Sequence, residues 1–186
     1  MNVLGEISKI QFGLYDKPGD AGNTAYLQAK HFDEYGRKIL PIDTFLNIDT
    51  KNEGHLLNEG DIILAGKGFR NFAWTYRDNM GPAIASSMFF VIKPYINVVL
   101  PEFLTTLFNS TQTQAYFQTL GAGSSIPSIR KSELEALPIN LPSLEVQYKI
   151  VKIKELHDID IALTNKIIEE KNKRFNSIVN ALIFNY

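Results

Sequence analysis

The stretch Leu137-Pro138-Ile139-Asn140-Leu141-Pro142-Ser143-Leu144-Glu145-Val146-Gln147 divides the chain into two parts of different character. Beyond Pro142 the sequence contains neither glycine nor proline. Ser143 suits a helix N-cap, and Glu145 falls in the first turn, where the helix dipole favours a negative charge. At ~1.5 Å per residue, the roughly forty residues that follow predict a helix about 60 Å long. We therefore predict a compact domain over residues 1–142 and one long helix over residues 143–186.

The apolar residues of the predicted helix recur with the ~7-residue period of a coiled coil and have charged residues between them. Two rows make up this stripe, which we interpret as a dimer interface: Leu156, Ile161, Leu163, Ile168, Phe175 and Leu182. Asp160, Thr164 and Lys171 interrupt it. One interpretation is a helix that lies across its own domain. The spacing favours the other interpretation, a helix that pairs with a second long helix.

The composition indicates a globular domain with an extension. The chain has 186 residues, a formal net charge of −1 and no cysteine, which excludes disulfides and thiolate metal sites. Its first residues lack the basic start and the apolar run of a signal peptide, and no stretch is apolar enough to span a bilayer. We expect a cytoplasmic protein with no membrane partner.

Segments typical of β-strands come first in the compact part, and short helices follow. We predict strands over residues 4–12, 25–32, 62–64 and 83–92. Pro101 fits the first position of a helix. A second short helix over residues 112–120 ends at Gly121, which suits a C-cap. This order of elements predicts an α+β fold.

A search for catalytic motifs finds none in the sequence. There is no His-Glu-x-x-His, no Gly-x-x-x-x-Gly-Lys phosphate loop and no Gly-x-Gly-x-x-Gly cofactor turn. The histidines, His31, His55 and His157, lack the spacing of metal ligands. We therefore expect no catalytic residues, no metal site and no cofactor bound by this chain.

A recognition surface is the remaining candidate for function. Between Ala65 and Arg77, basic and amide side chains are interleaved with aromatic ones, and Arg, Lys and Asn can pair with base edges in the major groove. The candidate contacts are Lys67, Gly68, Arg70, Asn71, Tyr76 and Arg77. The alternative interpretation is a sheet segment in which alternate aromatic side chains are buried, among Phe69, Phe72, Trp74 and Tyr76.

A second candidate surface follows the predicted helix that ends at Gly121. Small residues there would let backbone N–H groups approach a phosphate, and two basic residues add positive charge. The candidate contacts are Ser124, Ser125, Arg130 and Lys131. A helix C-cap followed by a polar turn explains the same residues equally well.

Three segments, taken in this order, resemble the DNA specificity subunits of type I restriction-modification systems. They are residues 57–64 with Gly60-Asp61-Ile62-Ile63-Leu64, residues 121–129 with Ile126-Pro127-Ser128-Ile129, and residues 137–150 with Leu141-Pro142 and Gln147. Val146 stands where the family usually has a glutamate. Subunits of that family carry two recognition domains and two long helices paired as an antiparallel coiled coil. With one domain and one helix, this chain resembles half of such a subunit.

The resemblance implies an α+β target-recognition domain, with a twisted mixed β-sheet and short helices, followed by one long coiled-coil helix. It implies that the chain reads half of a bipartite site in double-stranded DNA and is not itself an enzyme. The implied partners are modification (methyltransferase) subunits, which use S-adenosylmethionine, and a restriction (motor) subunit, which uses ATP and Mg²⁺. A second copy of the chain would pair with it through antiparallel helices as a homodimer. The rival hypothesis is a helical assembly scaffold that does not read DNA.

Overall fold

The computed structural model describes residues 2–33, 35–39, 41–50, 52–68, 70–120 and 127–184. The chain forms two compact units, Met1–Tyr148 and Lys149–Tyr186. The boundary drawn from the sequence, after residue 142, stays a prediction. The elements in chain order are β1 (Asn2–Val3), α1 (Leu4–Ile7), β2 (Ser8–Phe12), β3 (Thr24–Leu27), β4 (Phe45–Leu46), β5 (Ile62–Ala65), β6 (Ala73–Thr75), β7 (Ala83–Ala85), β8 (Phe89–Pro94), α2 (Pro101–Phe108), α3 (Thr111–Thr119), α4 (Lys131–Glu135), β9 (Pro138–Ile139) and α5 (Leu144–Phe184).

The strands of the first unit assemble into small sheets. An antiparallel sheet has the strand order β2-β8-β5-β6. A mixed sheet has the order β4-β3-β7, in which β3 pairs antiparallel with β4 and parallel with β7. The short strands β1 and β9 pair with each other and so tie the start of this unit to its end. The predicted α+β fold with mixed strand directions is confirmed.

One core cluster of the first unit is built from both of the larger sheets. Ile63 and Val91 of the antiparallel sheet pack in one cluster with Leu27 and Ala85 of the mixed sheet. All of β5 is buried, in agreement with its uninterrupted apolar sequence. This core fixes the loops that leave the ends of β5 and β8.

Several local predictions are confirmed. β5 follows Gly60, whose φ of +83° lies in the left-handed region that favours glycine. α2 begins at Pro101, and the second short helix spans Thr111–Thr119. The predicted C-cap at Gly121 lies outside the described residues.

The predicted strand over residues 4–12 is wrong in its first half. Residues Leu4–Ile7 form α1, and only Ser8–Phe12 form a strand. Leu4 and Ile7 are spaced by three residues, which places both on the buried side of a helical turn, whereas a strand would place them on opposite faces. The hydroxyl of Ser8 donates to the carbonyl oxygen of Leu4 at 2.8 Å, which closes this turn.

The other two long strand predictions are also corrected. The strand predicted over residues 25–32 ends at Leu27, and a 3-10 helix over Ala29–His31 follows. The run predicted as one strand over residues 83–92 forms β7 and β8, which belong to different sheets. The chain turns between them, where the N–H of Phe89 donates to the carbonyl oxygen of Ser86 at 2.9 Å.

The second unit lies within α5, which spans 41 residues and begins directly after Ser143, as predicted. At 1.5 Å per residue its length is about 60 Å. Among the residues described in α5, only Gln147 is buried, and it belongs to the first unit. Neither α5 nor any other helix in the described ranges has the apolar run needed to cross a membrane.

Candidate nucleic-acid interface

The two recognition segments predicted from the sequence meet in the first unit. Lys67 forms an antiparallel bridge with Ser128. The N–H of Gly68 donates to the carbonyl oxygen of Pro127 at 2.9 Å. The N–H of Ile129 donates to the carbonyl oxygen of Gly66, also at 2.9 Å. We call these segments, residues 66–68 with Arg70 and residues 127–131, the paired loops. They form one surface, although they lie far apart in the sequence.

Two glycines fix the shape of the first paired loop. A Cβ atom at Gly66 would lie 2.3 Å from Cε2 of Phe90, so only glycine lets this aromatic ring pack against the backbone. Gly68 has a φ of +98°, a conformation that residues with a side chain rarely adopt. Lys67 lies between these two constrained positions and is exposed.

Three basic side chains of the paired loops are exposed and are not engaged by an acidic partner. Lys67, Arg70 and Arg130 form no ion pair with any residue that the structure describes. Lys131 instead pairs with Glu135, with 3.4 Å between Nζ and Oε1. The Glu133 carboxylate accepts the backbone N–H of Arg130 at 2.7 Å and leaves the guanidinium of Arg130 available.

Two other predicted contact residues are engaged inside the domain. Asn71 is buried, and its Nδ2 donates to the carbonyl oxygen of Ala65 at 2.8 Å, which closes the first loop. Tyr76 is buried, and its hydroxyl donates to the carbonyl oxygen of Gly81 at 2.7 Å. Phe72 is buried as well. Of the aromatic residues in the alternative interpretation, Phe72 and Tyr76 are buried on either side of β6, and Trp74 within β6 is partly buried.

Arg77, the last basic residue of the predicted segment, binds two carboxylates. Its guanidinium lies 2.8 Å from Oε1 of Glu59 and also contacts Glu102. The hydrogen bond from Arg77 lowers the pKa of Glu59, and the same hydrogen bond raises the pKa of Arg77. Arg77 therefore has much of its hydrogen-bonding capacity taken up within the domain. Of the remaining predicted contacts, Ser124 and Ser125 lie outside the described residues, as does Phe69.

The buried histidine of the domain has a structural role. His31 is 1% exposed, its Nδ1 accepts the N–H of Gln28 at 3.1 Å, and its Nε2 therefore donates to Asp43 at 2.9 Å. Hydrogen bonds from Lys30 and His31 lower the pKa of the Asp43 carboxyl to about 2. Within the described ranges, no group of histidine and acidic residues is placed to hold a metal ion.

Gln147 is a residue whose role the sequence reasoning missed. It is fully buried, and its Oε1 accepts the N–H of Leu100 at 2.9 Å. Its Nε2 donates to the carbonyl oxygens of Pro142, at 2.9 Å, and Val98, at 3.3 Å. The first turn of α5 is thereby fixed to the chain just before α2. The signal was present, because Gln147 is part of the motif that carries the family resemblance.

In the second unit, the residues of the predicted dimer stripe lie on the surface of α5. Ile161 is partly buried. The other members are between 51% and 66% exposed: Leu156, Leu163, Ile168, Phe175 and Leu182. Large apolar side chains in a continuous exposed row are typical of an interface.

Comparisons with known proteins agree on one family. The family model for the type I restriction modification DNA specificity domain matches residues 4–172. A type I restriction enzyme HindI specificity subunit from Haemophilus influenzae (strain ATCC 51907 / DSM 11121 / KW20 / Rd) is 33% identical over 129 residues. That match covers 68% of this chain and 27% of the relative, so the chain spans a minor part of the relative's length.

Solved structures share the fold at low sequence identity. A chain from a study of complex assembly and conformational transition of the type I R-M system has a TM-score of 0.64 and 16% identity, over 97% of this chain and 43% of that one. The S subunit of a type I restriction-modification system from M. genitalium has a TM-score of 0.63 and 14% identity, over 97% and 44%. The HsdS subunit from Thermoanaerobacter tengcongensis has a TM-score of 0.60 and 14% identity, over 89% and 38%. The extent of the family match shows that this chain belongs to the type I restriction modification DNA specificity domain family.

Proposed function

We propose that this chain recognises a specific sequence in double-stranded DNA for a type I restriction-modification complex. The observation that carries the proposal is the surface of the paired loops, where Lys67, Arg70 and Arg130 are exposed and have no acidic partner among the residues that the structure describes. Lys and Arg side chains bind phosphates and also pair with guanine in the major groove. The two loops support each other by backbone hydrogen bonds, so these cations are held on a defined surface.

In this proposal the chain positions other subunits on DNA and carries out no chemistry itself. Specificity subunits of this family are in general not catalytic. Modification subunits would supply methyl transfer from S-adenosylmethionine, and a restriction subunit would supply ATP- and Mg²⁺-dependent motor action. The net charge of −1 is low for a protein that binds DNA alone. We therefore expect weak binding by the isolated chain and tight, specific binding when modification subunits share the phosphate contacts.

A second copy of the chain is the proposed partner of the exposed stripe on α5. Antiparallel pairing of two α5 helices would bury the stripe of each copy on the other. Two identical recognition domains related by a two-fold axis would then read the two halves of an inverted-repeat site. The scaffold hypothesis explains the stripe equally well, but it gives no reason for the unpaired cations of the paired loops.

The test compares two variants in a complex reconstituted with modification subunits. Lys67→Ala with Arg70→Ala should lower affinity for the specific site by at least tenfold, because a bidentate base contact typically discriminates by ~1–3 kcal/mol. The control, Lys30→Ala with Lys38→Ala, removes the same charge from residues outside the paired loops and, once shown by urea unfolding to be folded, should bind nearly as the wild type does. Normal binding and methylation by the first variant would show that the paired loops do not read the site.

A further inference from the structure

Large apolar side chains are exposed at the same end of the antiparallel sheet as the paired loops. Phe12 at the end of β2 is 51% exposed, and Met88 in the turn before β8 is 38% exposed. We call Phe12 and Met88 the apolar rim.

The strand register places the apolar rim beside the first paired loop. Phe12 is directly opposite Phe90 on β8, and the centroids of their rings are 5.1 Å apart. The ring of Phe90 packs in turn against Gly66, which lies on the other side of β8. Leu64 is level with Phe12 and Phe90, and Gly66 lies two residues further along the chain. With strands ~4.8 Å apart and ~3.3 Å per residue, the backbones of Phe12 and Gly66 are separated by roughly 12 Å.

Met88 adjoins the same loop directly. The N–H of Gly66 donates to the carbonyl oxygen of Met88 at 3.1 Å. The next residue, Lys67, carries one of the unpaired cations. Exposed apolar groups and the cations of the paired loops therefore lie at the same end of β2, β8 and β5.

We infer that the apolar rim contacts the C5-methyl groups of thymine in DNA held by the paired loops. The inference rests on the proposed function and names the chemistry that this part of the surface reads. The cations favour a polyanion over a neutral protein surface as the occupant, because phosphates can take up positive charges that no acidic side chain in the described part of the chain neutralises. The thymine methyl group is the apolar feature that the major groove presents, and phenylalanine is among the residues that contact it.

The experiment replaces thymine with uracil, which removes this methyl group and leaves the base-pairing edge intact. The full chain is reconstituted with modification subunits, and its affinity is measured for duplexes of its methylated site with one thymine changed to deoxyuridine at a time. The wild type should lose about fourfold in affinity at one or more positions, the effect of burying one CH₂-sized group. Phe12→Ala should bind the thymine and uracil duplexes equally at such a position, since the two changes remove the same contact.

The matched control is Tyr95→Ala, because Tyr95 is 47% exposed and follows the opposite end of β8. The Tyr95→Ala variant should keep the wild-type ratio of affinity for the thymine duplex to affinity for the uracil duplex. Met88→Ser is a second rim variant, and it should reduce this ratio. Equal affinity of the wild type for all duplexes, or an unchanged ratio in both rim variants, would overturn the inference about thymine and leave the proposed function standing. If Phe12→Ala weakened assembly with modification subunits and kept the ratio, the rim would be a protein-docking surface. A wild-type complex with no sequence preference would overturn the proposed function as well.

Discussion

Replacing Gln147 with alanine tests whether its buried amide holds the start of α5 in place. The variant removes three hydrogen bonds, which join the amide to Leu100, Pro142 and Val98. A typical internal hydrogen bond contributes about 1 kcal/mol net, and a buried group left without its partner costs about 1–3 kcal/mol. Because Gln147 is 0% exposed, the free energy of unfolding should fall by about 2–4 kcal/mol.

The measurement is urea unfolding of the full chain at one fixed protein concentration, because association of copies would make stability concentration-dependent. Gln114→Ala is the matched control. Gln114 is only partly buried, and its Nε2 makes one hydrogen bond, to the carbonyl oxygen of Phe108 at 2.7 Å. The control should lose about 1 kcal/mol. Equal losses in the two variants would refute the idea that Gln147 fixes the first turn of α5.

A glutamate at position 147 adds a pH dependence to the same test. In Gln147→Glu a carboxylate oxygen would replace Nε2 and face the carbonyl oxygens of Pro142 and Val98. This contact disfavours the charged form and raises the folded-state pKa of the new carboxyl above its unfolded value. The relative stability of the variant should therefore be greatest below the unfolded pKa and should fall as pH rises through the folded pKa. No change in its stability relative to the wild type between pH 4 and pH 7 would contradict this reasoning.

Three further predictions concern other parts of the chain. Gly66→Ala should destabilise the domain by about 1–3 kcal/mol in the same assay, because its Cβ would overlap the neighbouring aromatic ring, whereas Gly54→Ala, with no atom within 4 Å, should be nearly neutral. Asp43→Asn should lower stability at pH 7. Its difference in stability from the wild type should shrink as pH falls below the ordinary carboxyl pKa of 3.8 and should disappear towards about 2. A constant difference across that range would refute the stabilising role of the contacts from Lys30 and His31 to Asp43. The wild type should sediment as a dimer at tens of micromolar, by our proposal, and Ile168→Asp with Phe175→Asp should give monomers, because a charge in a buried helical seam is strongly unfavourable.

Elements set by local chemistry could be predicted from the sequence. Pro101 begins α2, and the residues after Ser143 form one long helix without glycine or proline to interrupt it. The start of the chain differs from its prediction because Leu4 and Ile7, three residues apart, share one side of a helical turn, whereas the two-residue alternation of a strand begins only at Ser8. The apolar run over residues 83–92 was misread because each half is buried in a different sheet, so no change in hydrophobicity marks the turn.

The candidate site depended on contacts between distant parts of the chain. Lys67, Arg70 and Arg130 were predicted as contacts, but the bridge between Lys67 and Ser128 joins segments whose sequences carry no sign of each other. Asn71 has the residue type expected for base recognition, yet its amide closes the loop by binding Ala65. Residue type alone does not distinguish an amide that faces the solvent from one that is satisfied by its own backbone.

Methylome sequencing of cells that carry this chain with its cognate modification subunit tests the central claim most directly. The account predicts new methylation at one bipartite sequence, with the two halves as an inverted repeat if two copies of the chain act together. The same cells carrying Lys67→Ala with Arg70→Ala should lose or relax this methylation. Methylation at the unchanged site in the variant, or no site-specific methylation with the wild-type chain, would contradict the claim that the paired loops read DNA.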